Sequence, residues 1–468
     1  MFNFDKFEKN IAVITETGEE LTYDTLNGLQ KKWASYVSGR ELVLMLCSEN
    51  IETIVGYISC LINKIVVIML DGKTDLDYIK HIIQTYRPNY VWGPLNNAVV
   101  SHKTQIYTYR NYKLVRYNVN KISIFSELAV LFSTSGSTGN PKLVRLSYDN
   151  IEQNTKSIIS YLDIDKKQRA ALSLPLSYVY GLSVLNTHLY VGASILLIRR
   201  KVFDIEYWDI FNRFTATSIS GVPYTYKILK SFNFSKLNLP TLQYMTQAGG
   251  HLSDEVVSYF LNYSEQNNKK FFVMYGQTEA TARISYVPYE YLSKKKGSIG
   301  IPIRGGEMKI VSEDNSVLSE SYKVGEIIYK GRNVSLGYAD NQYDLCLGDL
   351  NCGILHTGDI GYFDNDNYFY IVGRKSRIKK VLGVRINLDD IEKELNKRFN
   401  INFACVSTDK YIYIASEELM NSNEIINFIS KKINVNKSVF SISLTKFPRN
   451  KNGKIDYSKL YKIITLED

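Results

Sequence analysis

Between Leu131 and Lys142 an apolar run passes into Ser133-Thr134-Ser135-Gly136-Ser137-Thr138-Gly139-Asn140-Pro141-Lys142. Glycines let backbone N–H groups approach an anion closely. Hydroxyls donate to phosphate oxygens, and a lysine adds a point charge. Residues of these types in this order are suited to cradling a phosphate group. The Gly-Lys-Ser/Thr triplet of the Walker loop is absent, so this is a different kind of cradle. Composition alone leaves a second reading open, a flexible Ser/Gly turn that follows a strand.

Further groups follow in order along the chain. They are Tyr275-Gly276-Gln277-Thr278-Glu279, Gly297-Ser298-Ile299-Gly300-Ile301-Pro302 and His356-Thr357-Gly358-Asp359. Gly373-Arg374 comes next, then the basic stretch from Lys379 to Arg385, and last Pro448-Arg449-Asn450-Lys451-Asn452-Gly453-Lys454-Ile455-Asp456. Together with the Ser133–Lys142 loop these resemble, in the same order, the motifs of the adenylate-forming superfamily. That group includes acyl-CoA synthetases, the adenylation domains of nonribosomal peptide synthetases and firefly luciferase.

The resemblance implies a role for each matching residue. Thr134, Ser135, Gly136, Ser137, Thr138, Gly139 and Lys142 would hold the β- and γ-phosphates of ATP. Glu279 would bind Mg2+, a hard cation that takes oxygen ligands beside substrate phosphates. Asp359 would accept from the ribose hydroxyls, and Arg374 would join it at the ribose or phosphate. Gly249 and Gly250 would let the adenine pack on backbone, Tyr275 would stack on it, and Gly276, Gln277 and Thr278 complete the nucleotide site. Lys454 would be catalytic. Attack of a carboxylate on the α-phosphate brings two anions together, and a lysine between them stabilises the charge that develops. Taken singly, these residues have plainer readings: a surface carboxylate for Glu279, a Gly-Asp turn for Asp359, a core tyrosine for Tyr275 and a surface turn for Lys454.

Two departures from the family pattern bear on the substrate. Where many members carry a histidine in Pro-x-x-His-x-x-Gly, this chain has Pro175-Leu176-Ser177-Tyr178-Val179-Tyr180-Gly181. Tyr178 takes the histidine position, and no carboxylate stands nearby to pair with a substrate ammonium. An ordinary carboxylic or hydroxy acid is therefore expected in preference to an α-amino acid. The hinge position, often Asp or Lys, falls on Ser376. The acyl pocket is expected near Tyr178, Val222, Tyr224, Thr246 and Gly276, whose hydroxyls and rings suit a small or polar acyl group. The resemblance implies activation of a carboxylic acid to an acyl-adenylate with release of pyrophosphate, then transfer to a thiol such as CoA, a free-standing acid–thiol ligase. Lys379, Lys380 and Arg385 could meet a phosphopantetheine arm or simply face solvent. Transfer to an acyl- or peptidyl-carrier protein or to an amine, and an inactive ligand-binding homologue, stay open as alternatives.

The elements that must position these residues follow a βαβ rhythm. Strands are expected at 43–47, 65–70, 127–132, 170–174, 194–198, 216–220 and 271–275, and helices at 51–63, 149–162 and 224–232. Short runs bounded by turn residues and alternating with helical periods predict layered α/β architecture with mostly parallel sheets. From about residue 297 glycines and short strands, at 325–329 and 368–372, mark a small β-rich part. A helix at 388–399, a strand at 411–415 and a helix at 424–433 then read as a small, mobile α+β domain. The expected division is therefore an AMP-binding domain over 1–374, with 297–374 its β-rich part, and a C-terminal domain over 375–468 carrying Lys454.

Bulk properties agree with an ordinary globular enzyme. A chain of 468 residues exceeds one hydrophobic core, so two or three domains are expected. The net charge of +10 is spread along the chain, with Lys294-Lys295-Lys296 its densest patch. No basic stripe or nucleic-acid module is present, so nucleic acid is not an expected partner. Five scattered cysteines argue against a disulfide framework. The N-terminus has no apolar signal core, and the longest apolar run is strand-length rather than a membrane span. A cytoplasmic setting is the expectation.

Overall fold

The computed structural model describes residues 2–37, 39–133, 142–381, 384–433, 435–449 and 454–465, with the side chains of residues 380, 384 and 385 excepted. Packing divides the chain into two compact units. The first takes in residues 1–308 and 329–355, the second 309–328 and 356–468.

Two large sheets build the first unit. In the nine-stranded sheet, Lys270–Tyr275, Tyr244–Gln247, Ser218–Gly221, Arg169–Leu172, Ser194–Leu197 and Ile11–Thr15 lie side by side, all parallel. In the eight-stranded sheet, Leu128–Ser133, Val66–Asp71, Leu42–Cys47 and Tyr90–Pro94 form the parallel centre. The expected mixed α/β layering with mostly parallel sheets is therefore present. The expected helices at 51–63 and 149–162 correspond to Ile51–Ile62 and Tyr148–Leu162.

One apolar cluster joins strands of both sheets with the helices Ile51–Ile62 and Val179–Val191. Both helices are buried on nearly every face, and Tyr57 on the first donates to Asn186 Oδ1 on the second at 3.0 Å. A helix buried all round has no apolar stripe to read, which is why Val179–Val191 does not stand out in the sequence.

Leu128–Ser133 pairs antiparallel with Leu143–Ser147. Arg145 in the returning strand is fully buried. Its guanidinium donates to the carbonyls of Leu336 at 2.6 Å, Tyr338 at 3.1 Å and Gly348 at 3.1 Å, and also to that of Leu347. One planar cation thus satisfies four backbone acceptors and fixes the segment 336–348 against the strand.

In the second unit, Phe403–Ser407, Ile412–Ser416 and Phe440–Leu444 form a three-stranded sheet. Alternating side chains serve opposite faces. Cys405, Ile412 and Ile414 pack with the helices Leu388–Phe399 and Ser422–Ile433, while Ala404, Val406 and Ala415 pack with Tyr457–Thr465.

Replacing Arg145 with Met should lower stability by roughly 3 kcal/mol or more, because several carbonyls lose a charged donor in a dry site. A urea midpoint within error of the parent would show that the segment 336–348 is held by something else.

Candidate active site

The residues singled out in the first unit leave the carboxyl ends of neighbouring parallel strands. Tyr178 follows Arg169–Leu172, Val222 follows Ser218–Gly221, Gly249 and Gly250 follow Tyr244–Gln247, and Gly276 follows Lys270–Tyr275. Ligands of open α/β sheets bind in the crevice beyond such ends. Gly249 has φ +90°, and a Cβ there would lie 2.7 Å from the Tyr178 hydroxyl and 3.4 Å from a Val222 methyl. Tyr178, Val222 and Gly249 therefore meet. Gly276 is required by close approach, since a Cβ would sit 2.0 Å from the Ala282 carbonyl oxygen. The chain doubles back there and brings the Arg283 Cα behind Gly276.

Thr246 is buried, and its hydroxyl lies 2.8 Å from both the Tyr180 and Ser220 hydroxyls. Its carbonyl accepts from Tyr180 at 2.9 Å and from Tyr226 at 2.8 Å. Tyr224 stands apart on the helix Pro223–Ser231, 55% exposed. Gln247 donates to the Gly250 carbonyl at 2.9 Å and shapes the glycine turn. Tyr275 ends its strand opposite Ser285, and Gln277 and Thr278 open the short turn that carries Glu279.

Thr134, Ser135, Gly136, Ser137, Thr138 and Gly139 lie outside the described residues. Lys142, where the chain re-enters, has its ammonium 4.4 Å from the centre of the Tyr338 ring and 3.9 Å from an Asp340 carboxylate oxygen. The Tyr338 hydroxyl donates to Glu279 Oε1 at 2.7 Å. Burial first, and then the Glu279 charge, push the Tyr338 hydroxyl above its ordinary pKa, so it remains a donor at neutral pH. Lys142 and Glu279, both expected beside the phosphates, are thus linked through one tyrosine. Tyr338 was not anticipated, because nothing in its local sequence marks it. It is placed by its strand pairing with Val144 and by Arg145.

In the second unit, Asp359 and Arg374 face each other across the antiparallel strands Ile354–Phe363 and Phe369–Arg374. Arg374 Nε donates to Asp359 Oδ1 at 2.7 Å, with the carboxylate buried and the guanidinium 58% exposed. Lys454 comes into the electrostatic reach of both. Loss of solvent lowers its ammonium pKa, repulsion from Arg374 lowers it further, and Asp359 opposes. By surface area the residue is exposed, so the shift reflects crowding around its charged end rather than a dry site.

Ser376 lies in the exposed turn Lys375–Arg377. Its neighbour Arg377 is deeply placed. It donates to Asp389 at 2.8 Å, to the Cys405 carbonyl at 2.7 Å and to Glu392, and it stacks 3.9 Å over the Tyr457 ring. The Tyr457 hydroxyl donates to Glu392 Oε2 at 2.9 Å. This network ties the turn at Ser376 to the helix that begins three residues after Lys454. Lys379 is exposed, while the side chains of Lys380 and Arg385 fall outside the described residues.

The sequence profile of the AMP-binding enzyme family matches residues 3–339. The chain belongs to that family. Among relatives, the oxalate–CoA ligase of Arabidopsis thaliana is 30% identical over 272 residues, 57% of this chain and 52% of that protein. The 2-succinylbenzoate–CoA ligase of Bacillus subtilis (strain 168) is 29% identical over 70% of this chain and 67% of its own length. The chain spans about half the length of the first curated relatives it matches. Among solved structures, the o-succinylbenzoate CoA synthetase of Bacillus subtilis in complex with its acyl-adenylate intermediate superposes with a TM-score of 0.78 at 21% identity, covering 98% of both chains. ATP-bound MatB from Rhodopseudomonas palustris gives 0.78 at 19% identity, covering 98% of this chain and 97% of its own. These likenesses establish the fold of an AMP-binding enzyme, one large and one small domain included.

Among the described residues no three His, Cys, Asp or Glu side chains gather as a metal cage. The single carboxylate of Glu279, half-buried beside Lys142, fits a Mg2+ that takes its other ligands from phosphate and water.

Breaking the buried network by Arg377→Gln should cost about 3–5 kcal/mol, because Asp389 and Glu392 lose their counter-charge. The check is the guanidinium-chloride midpoint for loss of hydrogen-exchange protection in the helix Leu388–Phe399. An unchanged midpoint would mean that solvent compensates the two carboxylates.

Proposed function

We propose that the protein activates a carboxylic acid with ATP and then hands the acyl group to a thiol, with CoA as the acceptor. In the first step a carboxylate oxygen of the substrate forms a bond to the α-phosphorus. The bond from that phosphorus to the bridging oxygen breaks, and pyrophosphate leaves. In the second step the thiol loses its proton to solvent and its sulfur adds to the acyl carbonyl, the bond to the phosphate oxygen breaks, and AMP leaves with its electron pair.

The observation that carries this reading is the convergence of Lys454 with the Asp359–Arg374 pair, which lies far upstream of it in the chain. Asp359 is a buried acceptor held at a fixed angle by Arg374, as a ribose diol needs. Lys454 is an exposed cation whose charged end lies within electrostatic reach of the pair, where it can stabilise charge developing at phosphorus. Lys142 and Glu279 would flank the departing phosphates, with residues 134–139 supplying the cradle. A bound Mg2+ would neutralise the charge of the leaving pyrophosphate. Tyr338 would hold Glu279 in place for it. Gly249 and Gly250 present bare backbone for the base, and Tyr275 the ring beside it.

The segment from 375 onward would act as the small mobile domain bearing Lys454, hinged at Ser376, with the AMP-binding domain over 1–374. The relatives' names span oxalate, 2-succinylbenzoate, 4-coumarate and long-chain fatty acids. Names therefore do not choose an acid for this chain. No helix among the described residues is long and apolar enough to cross a membrane, and we place the reaction in the cytoplasm. Use of a carrier protein or an amine as acceptor would give adenylation without CoA dependence, which separates the two.

ATP–pyrophosphate exchange against fatty, aryl, hydroxy, amino and dicarboxylic acids should be positive for one class. Lys454→Ala should retain the fold and lose roughly 10²–10³ of that exchange, the scale of one transition-state charge. Exchange within a few-fold of the parent would remove Lys454 from the mechanism. Since the reaction uses the protonated ammonium and its pKa is depressed, exchange should fall on the alkaline side below the ordinary lysine value. Arg374→Gln removes the repulsion and frees Asp359, so the alkaline limb should move to higher pH. A limb that moved downward would contradict the assignment.

A further inference from the structure

Arg283 is 2% exposed and lies in the interior of the first unit. A buried arginine is ordinarily matched by a carboxylate, because an unmatched charge in a dry site is costly. Arg283 has no such partner among the described residues. Its Nε donates to the Tyr161 hydroxyl at 3.2 Å, and its guanidinium carbon lies 4.6 Å from the centre of the Tyr180 ring. The Tyr161 hydroxyl in turn donates to the Met274 sulfur at 3.0 Å. The two terminal nitrogens, with four N–H groups between them, have no hydrogen-bond acceptor among the described residues. A tyrosine face and one hydroxyl offset only part of what water gave the cation.

The location supplies the meaning. The Arg283 Cα packs directly behind Gly276. The positive charge holds down the hydroxyl pKa values of Tyr161, Tyr178 and Tyr180 against the upward push of burial, so all three lie close to it. Tyr178 touches Gly249, and Tyr180 bonds Thr246. Three of the positions expected in the acyl pocket, Tyr178, Thr246 and Gly276, therefore lie around one unmatched, planar, bidentate donor, Thr246 through Tyr180. A guanidinium of this kind is suited to a carboxylate, which accepts two parallel N–H bonds.

We propose that Arg283 is a specificity-determining residue that receives a second anionic group, a carboxylate at the far end of the acyl substrate. This rests on the adenylation reading and names its substrate class, a dicarboxylic acid activated at one end and anchored at the other. Binding of the far carboxylate supplies the counter-charge that the folded protein withholds. It also orients the near carboxylate without using any group of the nucleotide site.

The test is ATP–pyrophosphate exchange with matched pairs: succinate and butyrate, glutarate and pentanoate, terephthalate and 4-methylbenzoate. The parent should exchange with at least one diacid at least ~10-fold better than with its neutral partner, the scale of a contact that leaves buried donors unpaired when it is missing. Arg283→Met should lower exchange with that diacid by roughly 10²-fold and raise exchange with the neutral acid, inverting the preference. Arg283→Lys keeps a cation but not the fork, and should fall between. Near-ultraviolet circular dichroism establishes that each variant is folded. Exchange confined to neutral acids, or an Arg283→Met variant that lowers both members of a pair alike, would overturn the assignment while leaving adenylation in place. No exchange with any acid would overturn the adenylation reading and this one with it.

Discussion

Parallel registration of four short strands is the constraint on which the first unit's site depends. Arg169–Leu172, Ser218–Gly221, Tyr244–Gln247 and Lys270–Tyr275 pair in register, so their carboxyl ends fall on one edge. Parallel neighbours cannot be joined by tight hairpins, and each return passes through a helix. The loops left at that edge are consequently freed from the work of connecting adjacent strands. They carry Tyr178, Val222, Gly249 and Gly276, and they are tight enough that glycine is demanded at two of those positions.

Two buried arginines and a third largely buried one show three ways of settling a cation out of water. Arg145 is settled by backbone carbonyls, and the result is a fixed segment bearing Tyr338. Arg377 is settled by two carboxylates and an aromatic face, and the result is a rigid link between the Ser376 turn and the Lys454 helix. Arg283 is settled only in part, by a ring and a hydroxyl. The first two satisfactions are internal and speak of architecture. The third is incomplete, and incomplete satisfaction of a charged donor beside the expected acyl pocket is what a ligand site requires before its ligand arrives.

The pair Asp359–Arg374 and the triad Lys142–Tyr338–Glu279 share a design feature. In each, a residue expected to meet the nucleotide is held by a neighbouring side chain. Asp359 is held by an arginine that remains mostly in solvent, and Glu279 by a tyrosine whose own titration is displaced upward. In the first pair the carboxylate is buried and the guanidinium reaches solvent, so the charge is matched without both groups being desolvated.

Much of the plan was legible in the chain. Runs such as 43–47 and 271–275 announce buried strands because their apolar residues are continuous and bounded by turn formers. The loop, the Thr-Gly-Asp and the Gly-Lys groups announce their chemistry because each packs its chemical groups into a few consecutive residues. What the sequence could not show were contacts made by residues whose own neighbourhood is unremarkable. Val179–Val191 hides as a helix because burial on all faces erases periodicity. Tyr338 hides because its meaning comes from pairing with a strand far upstream. Arg283 reads as any arginine until Tyr161, Tyr180 and Gly276 close around it. Local composition determined which chemistry the chain can perform. Only the tertiary structure decided which charges are satisfied internally and which are left for a substrate, because satisfaction depends on partners that folding alone brings within bonding distance.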